Sequence, residues 1–134
     1  MLDTGFWFAL IDENDANHQR VFQVWKNIRV VVASPIPVVT EVAYLVKREG
    51  GSQKLAAFLD ILSETAIRLV TPATEDYQRA AEIIRQYNDA NVDFVDAIIV
   101  AMAERLDITK ILTVDQRHFR MFRPAHCPAF EILP

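Results

Sequence analysis

Apolar residues along the chain follow two alternating spacings. Short β-branched runs recur at Val30–Ala33 (VVVA), Ile67–Thr71 (IRLVT), Ile111–Val114 (ILTV) and Phe130–Leu133. The first three end at Ser34-Pro35, Pro72 and Asp115, as buried strands do. Between the runs the spacing lengthens to i, i+3, i+4, i+7. His18, Val21, Phe22 and Trp25 follow it, as do Leu55, Phe58, Leu59 and Leu62; Tyr77, Ala80, Ala81 and Ile84; and Phe94, Ala97, Ile98 and Ala101. Each set predicts an amphipathic helix. Val38–Arg48 is apolar enough to be a mostly buried helix. Gly50-Gly51 is the one flexible break, and Ser52 is placed to cap the helix after it. Thr74 and Asp93 read as caps of two further helices, with Glu75 and Asp76 in the first turn of one of them.

Strands separated by helices imply right-handed crossovers, hence an α/β fold whose mostly parallel sheet is covered on both faces. The chain has 134 residues and no repeat or linker, so a single domain, 1–134, is expected. The first strand is the weakest element, because only Met1 and Leu2 precede Asp3.

Composition removes several function classes. With 51% hydrophobic and 24% charged residues, the chain is not disordered. Its three glycines, at 5, 50 and 51, cannot spell a dinucleotide-binding fingerprint or a Walker A loop, and no nucleophile elbow is present. Cys127 is the only cysteine, so no internal disulfide forms and a reducing cytoplasm is the expected location. His126-Cys127 has no second Cys/His cluster to complete a zinc site. No signal peptide is visible and no apolar run reaches about 18 residues. A net charge of −4 means that nucleic acid would need a local basic patch or bound cations to approach.

The remaining chemistry lies in acids at strand-to-helix junctions. Asp3 follows the first strand; Glu41 lies within PIPVVTEVAYL (35–45); Asp96 opens the apolar helix in DFVDAIIVAMA (93–103); Asp115 ends the ILTV strand. Groups outside the carboxyl ends of parallel strands collect at the functional edge of an open sheet. Each acid also has a structural explanation. Asp93 and Asp115 are good helix caps, Asp96 suits the positive end of a helix dipole, and Glu41 could face solvent. Asp96 stands apart, because its apolar neighbours imply burial, and an unpaired buried carboxylate is costly. Four carboxylates held close together would repel, and one or more would protonate near neutral pH unless a cation intervened. An all-oxygen set selects hard ions such as Mg²⁺ or Mn²⁺.

Three segments carry a resemblance: LDTGFWFALIDENDANH (2–18), SPIPVVTEVAYLV (34–46) and FVDAIIVAMAERLDITKILTVDQRHF (94–119). Together they make the chain similar, almost end to end, to the PIN domains, and specifically to the VapC-type toxins of toxin–antitoxin pairs. The last block is the most specific, with an acid-Ala pair opening an apolar helix, then AERL, then T-x-D and H-F. The resemblance implies a PIN-like three-layer α/β/α sandwich and a metal-dependent endoribonuclease. It makes Asp3, Glu41, Asp96 and Asp115 the acidic quartet that binds Mg²⁺ (or Mn²⁺), with Thr4 and Thr113 as flanking hydroxyls. Asp93, one turn before Asp96, joins the site, caps the helix, or does both. A homodimer and a small VapB-like antitoxin are the partners it implies.

Arg117, His118, Arg120 and Arg123 follow Asp115, and Lys47 and Arg48 follow Glu41 by about two helical turns. They read either as RNA contacts or as solvated helix faces. His18 completes an apolar stripe and is expected to pack rather than act as a base. Phe6, Trp7 and Phe8 are expected in the core. Two other functions are compatible with the acids. One is a receiver-like phosphotransfer domain, against which the want of a suitably placed lysine counts. The other is a catalytically inactive PIN scaffold that only binds a partner, against which the complete acid set counts.

Overall fold

Five short segments make the centre of the molecule. In the computed structural model, which describes residues 1–134, β1 (Ala33–Pro35) pairs in parallel with β2 (Arg68–Val70), and β3 (Lys110–Leu112) with β4 (Glu131–Leu133). Met1–Asp3 joins the two pairs. Leu2 bridges Leu112 in parallel, and its N–H donates to the Ala33 carbonyl at 2.9 Å. The two-residue stub is thus the middle of a sheet ordered β2, β1, stub, β3, β4, and it delivers Asp3 to the sheet's carboxyl edge.

The helices are α1 (Thr4–Ile11), α2 (His18–Asn27), α3 (Ile36–Glu64), α4 (Thr74–Gln86), α5 (Phe94–Arg105) and α6 (Gln116–Met121), with a 3-10 turn at Asn88–Ala90. α1 packs with α2 and α3, α4 packs with α5, and both α3 and α5 lie against β1. The α/β fold with parallel central strands follows the expectation. α5 is buried from Ala97 to Ala103 without interruption, as befits a helix apolar on every side. Arg105 fixes α5 to α4 by donating to both carboxylate oxygens of the buried Asp76, at 2.8–3.0 Å. Around the stub, Phe6, Trp7, Phe58, Ile98, Ile111 and Phe119 are fully buried. Trp7 meets Phe58 edge-on and donates through Nε1 to Ser34 Oγ at 2.9 Å.

Several sequence expectations need correction. Val30–Ala33 is not the first full strand: Val30 and Val31 are 72% and 78% exposed, and pairing starts only where the Val32 carbonyl accepts from Arg68 N–H. β-branched residues favour strands only where a pleated surface is there to pack against, and the sheet begins two residues later. α1 carries no amphipathic signal because TGFWFALI is apolar almost throughout. Thr74 is the first helical residue rather than the cap; Ala73 holds that position, and its N–H donates to Asp76 Oδ2 at 2.7 Å. Gly50-Gly51 does break the helical run, with Gly51 at φ 72° and ψ −169°, so α3 is two helical stretches joined at a kink; Ser52, expected as a cap, is already helical. Leu59, Tyr77 and Phe94, assigned to apolar stripes, are about half exposed.

Candidate active site

Asp3, Asp93 and Asp115 stand at the N-caps of α1, α5 and α6, so the same local rule turns all three carboxylates toward helix starts. Asp3 Oδ1 accepts from Phe6 N–H at 2.7 Å, Asp93 Oδ1 from Asp96 N–H at 2.8 Å, and Asp115 Oδ1 from His118 N–H at 3.1 Å. Asp96 lies in the first turn of α5, and Glu41 in the second turn of α3. One cavity gathers them all: Asp3, Thr4, Gly5, Glu41, Asp93, Asp96, Asp115 and His118 line it, with Val95, Ile99 and Val114 as its apolar part. A separate apolar groove, which includes Phe8, Ile11, Val46 and Phe58, shares no residue with it.

Two threonines fix the acids. Thr113 is fully buried; its hydroxyl donates to Asp3 Oδ2 and accepts from Asp115 N–H at 2.9 Å, coupling two of the acids through one atom. Thr4 Oγ1 donates to Glu41 Oε2. His118 reaches in from α6 and places Nδ1 3.1 Å from Asp115 Oδ2 and 3.6 Å from Asp96 Oδ2. Gly5 leaves the floor thin, since a Cβ there would stand 2.6 Å from Val114 Cγ2.

The enclosure is electrostatically strained. Burial raises the Asp3 carboxyl to a pKa of about 6, with Asp115 and Glu41 adding to the rise against the hydrogen bonds from Thr113 and Phe6 N–H. Burial also raises Asp96, to about 7, reinforced by Asp93, Asp3, Asp115 and Glu41. Like charges in a poorly solvated pocket have this effect, and a cation reverses it. The donor set suits a hard divalent ion: carboxylate and hydroxyl oxygens, and no thiolate. As they stand, no three of the acids close around a common point at ligating distance; Glu41 and Asp3 are turned to the threonines and Asp115 to His118. Asp115 is about half exposed.

The structure therefore brings together Asp3, Thr4, Glu41, Asp93, Asp96, Asp115 and His118, and leaves Thr113 directly beneath. The other basic residues lie outside the cavity. Arg117, Arg120 and Lys47 are exposed. Arg48 pairs with Glu49 at 2.8 Å and lies over the Tyr44 ring. Arg123 donates to the Arg120, Met121 and Phe122 carbonyls that end α6. His18 packs as expected, stacked on Phe22 with Nδ1 2.8 Å from the Ala9 carbonyl. Sequence reasoning passed over Gly5, although its place two residues after Asp3 was a usable signal. Val95, Ile99 and Val114 left no signal beyond apolarity.

Comparison with known proteins identifies relatives of the chain. Over its full length the chain is 31% identical to Ribonuclease VapC26 of Mycobacterium tuberculosis, covering 99% of that protein. It is 26% identical to the 23S rRNA-specific endonuclease VapC20 of the same organism, over 85% of this chain and 87% of that one. The crystal structure of VapC20, a Sarcin-Ricin loop cleaving toxin, superposes with a TM-score of 0.80 over 87% of this chain and 89% of that chain. A toxin–antitoxin complex from Klebsiella pneumoniae shares the fold at a TM-score of 0.67 and 17% identity, over 97% of this chain and 98% of that chain. Residues 1–123 match the PIN domain family, and the chain belongs to it.

Proposed function

We propose that this PIN domain is a divalent-metal-dependent endoribonuclease acting as the toxin of a toxin–antitoxin pair. The carrying observation is that acids from four separate segments line one cavity, with Asp3 and Asp96 held well above the ordinary carboxylate range. Such crowding disfavours the charged site until a cation enters. The relatives' names, a ribonuclease and an rRNA-specific endonuclease, support RNA as the substrate class. A receiver-like phosphotransfer reading lacks its lysine, as none lines the cavity.

Asp3, Glu41, Asp96 and Asp115 would hold Mg²⁺ or Mn²⁺, with Asp93 close enough to join them. A bound ion of this kind polarises a phosphodiester oxygen and lowers the pKa of its water to yield a hydroxide nucleophile. The chain's own residues do the positioning. Thr113 and Phe6 N–H immobilise Asp3, Thr4 orients Glu41, and the start of α5 presents Asp96 toward the same space. His118 stands at the edge of the cavity, where it can donate to a phosphate oxygen. Arg117 and Arg120, exposed on the same short helix, would contact flanking phosphates. Lys47 and Arg48 serve only a longer path along α3. A VapB-like antitoxin and a second copy of the chain are the protein partners this reading assigns.

The test is cleavage of bacterial RNA by the purified chain with Mg²⁺ or Mn²⁺, after chelation with EDTA, and after metal is restored. Activity that vanishes in chelator and returns with the ion is expected. Cleavage persisting in EDTA, with contaminating nuclease controlled, contradicts the metal mechanism.

A further inference from the structure

α6 has only six residues, yet it carries two groups of the acid cavity, Asp115 as its cap and His118 in its first turn. A helix this short does not sustain itself in water, so its anchors decide where it lies. Phe119 and Phe122 plug it into the core, each 1% exposed, but apolar burial is non-directional. The directional tie is at the far end. The Arg123 N–H, just past the helix, donates to the Tyr87 hydroxyl at 3.0 Å, and the Tyr87 ring meets Phe122 edge-on with centroids 5.2 Å apart. The Arg123 guanidinium turns back onto the last carbonyls of α6, which closes the helix end and leaves the outward link to Tyr87.

Tyr87 belongs to the other wall of the site. It ends α4, where its N–H donates to the Ile83 carbonyl at 3.0 Å, and it leads into the turn at Asn88–Ala90. The same connection runs on to Asp93, which caps α5 and precedes Asp96. One side chain thus links the segment bearing Asp93 and Asp96 to the helix bearing Asp115 and His118. Given the nuclease reading above, on which this rests, we propose that Tyr87 is a positioning residue, whose hydroxyl fixes the tilt of α6 and so holds His118 and Asp115 in register with Asp96. His118 Nδ1 stands 3.1 Å from Asp115 Oδ2 and 3.6 Å from Asp96 Oδ2, a contact between the two walls that a small tilt of α6 opens. Tyr87 itself lies outside the cavity and acts only through the helix. Its hydrogen bond is on the exposed side, where water replaces a lost partner at little cost, so removing it disturbs geometry more than folding.

The test compares wild type with Tyr87→Phe, which keeps the ring against Phe122 and loses only the hydroxyl. The chain has three histidines, so ring NMR of the metal-free protein at fixed pH follows each one. A displaced His118 signal, identified by its disappearance in His118→Gln, is expected beside an unmoved His18 signal. Initial rates with Mn²⁺ over a range of bacterial RNA concentrations give the second readout. There kcat is expected to fall about 10-fold, within the ~100-fold that a misplacement of about 1 Å can cost, while KM and the melting temperature stay close to wild type. An unmoved His118 signal or an undiminished kcat overturns the assignment. A melting temperature lowered by more than a few degrees, with the His18 signal displaced as well, reduces Tyr87 to general packing and overturns it too. A wild-type chain that cleaves no RNA fails the nuclease reading, and the assignment falls with it; an active wild type beside an equally active Tyr87→Phe fails the assignment alone.

Discussion

Asp3, Asp93 and Asp115 each cap a helix and line the acid cavity, so the structural and functional explanations of these carboxylates are not rivals. This is why residue type and spacing led to these positions without deciding between the two roles. Asp96 caps nothing, and its burial was legible from its apolar neighbours alone. Its raised pKa makes a thermal test possible. Between about pH 4 and 7 the folded, metal-free chain keeps protons on Asp3 and Asp96 that the unfolded chain has already released, so stability falls as pH rises through that window. The melting temperature in EDTA is expected to be higher near pH 5 than near pH 7.5, after correction for the remaining carboxylates. Asp96→Asn should flatten most of that dependence. At the higher pH, relief of about 1–2 kcal/mol of repulsion raises the midpoint by about 3–8 °C in a domain of this size. Asp93→Asn keeps a competent cap and removes only a neighbouring charge, so its rise should be smaller. Melts of the three proteins across pH check this; an Asp96→Asn midpoint at or below wild type near neutral pH contradicts it.

Among the elements, legibility followed amphipathicity. α2 and α4 each have one wet side, and both were predicted from spacing. α1 is buried on several sides at once, so its composition was as compatible with a strand, yet it carries Thr4 and Gly5 into the site. The VVVA run failed for the opposite reason: strand propensity was present, but pairing was not. α3 was visible as two helical stretches, and the structure joins them at a kink where Gly51 is not helical. Gly51, at φ 72° and ψ −169°, occupies a backbone region essentially reserved for glycine, where a side chain costs about 1–3 kcal/mol, so Gly51→Ala is expected to lower the melting temperature by several degrees. Calorimetric melts of wild type and Gly51→Ala decide it, and an unchanged midpoint contradicts this account of the kink.

At the scale of the whole molecule, a protein with net charge −4 has to attract an anionic polymer locally. The exposed guanidinium groups of Arg117 and Arg120, on the helix that begins at Asp115, are placed to do so. For single strands each neutralised phosphate contributes about 0.7 to the slope of log K against log salt. The double variant Arg117→Gln/Arg120→Gln should therefore lower the slope by up to about 1.4, with little change in metal-induced stabilisation. An unchanged slope would leave these arginines as solvated surface. The fold class could be read from strand–helix alternation, because crossover handedness leaves few alternatives. The shared cavity could not, since no local pattern reports that residues 3, 41, 96 and 115 meet. The most direct test of that meeting is one RNA-cleavage time course run with Mn²⁺ on wild type, on Asp3→Asn, Glu41→Gln, Asp96→Asn and Asp115→Asn, and on Glu131→Gln as an exposed carboxylate outside the cavity. Each of the four site variants is expected to lose about 100-fold or more in rate, as removal of a metal ligand or electrostatic anchor does, while Glu131→Gln cleaves like wild type. Near-wild-type cleavage by Asp3→Asn or Asp96→Asn would contradict the assignment of this cavity as the catalytic centre.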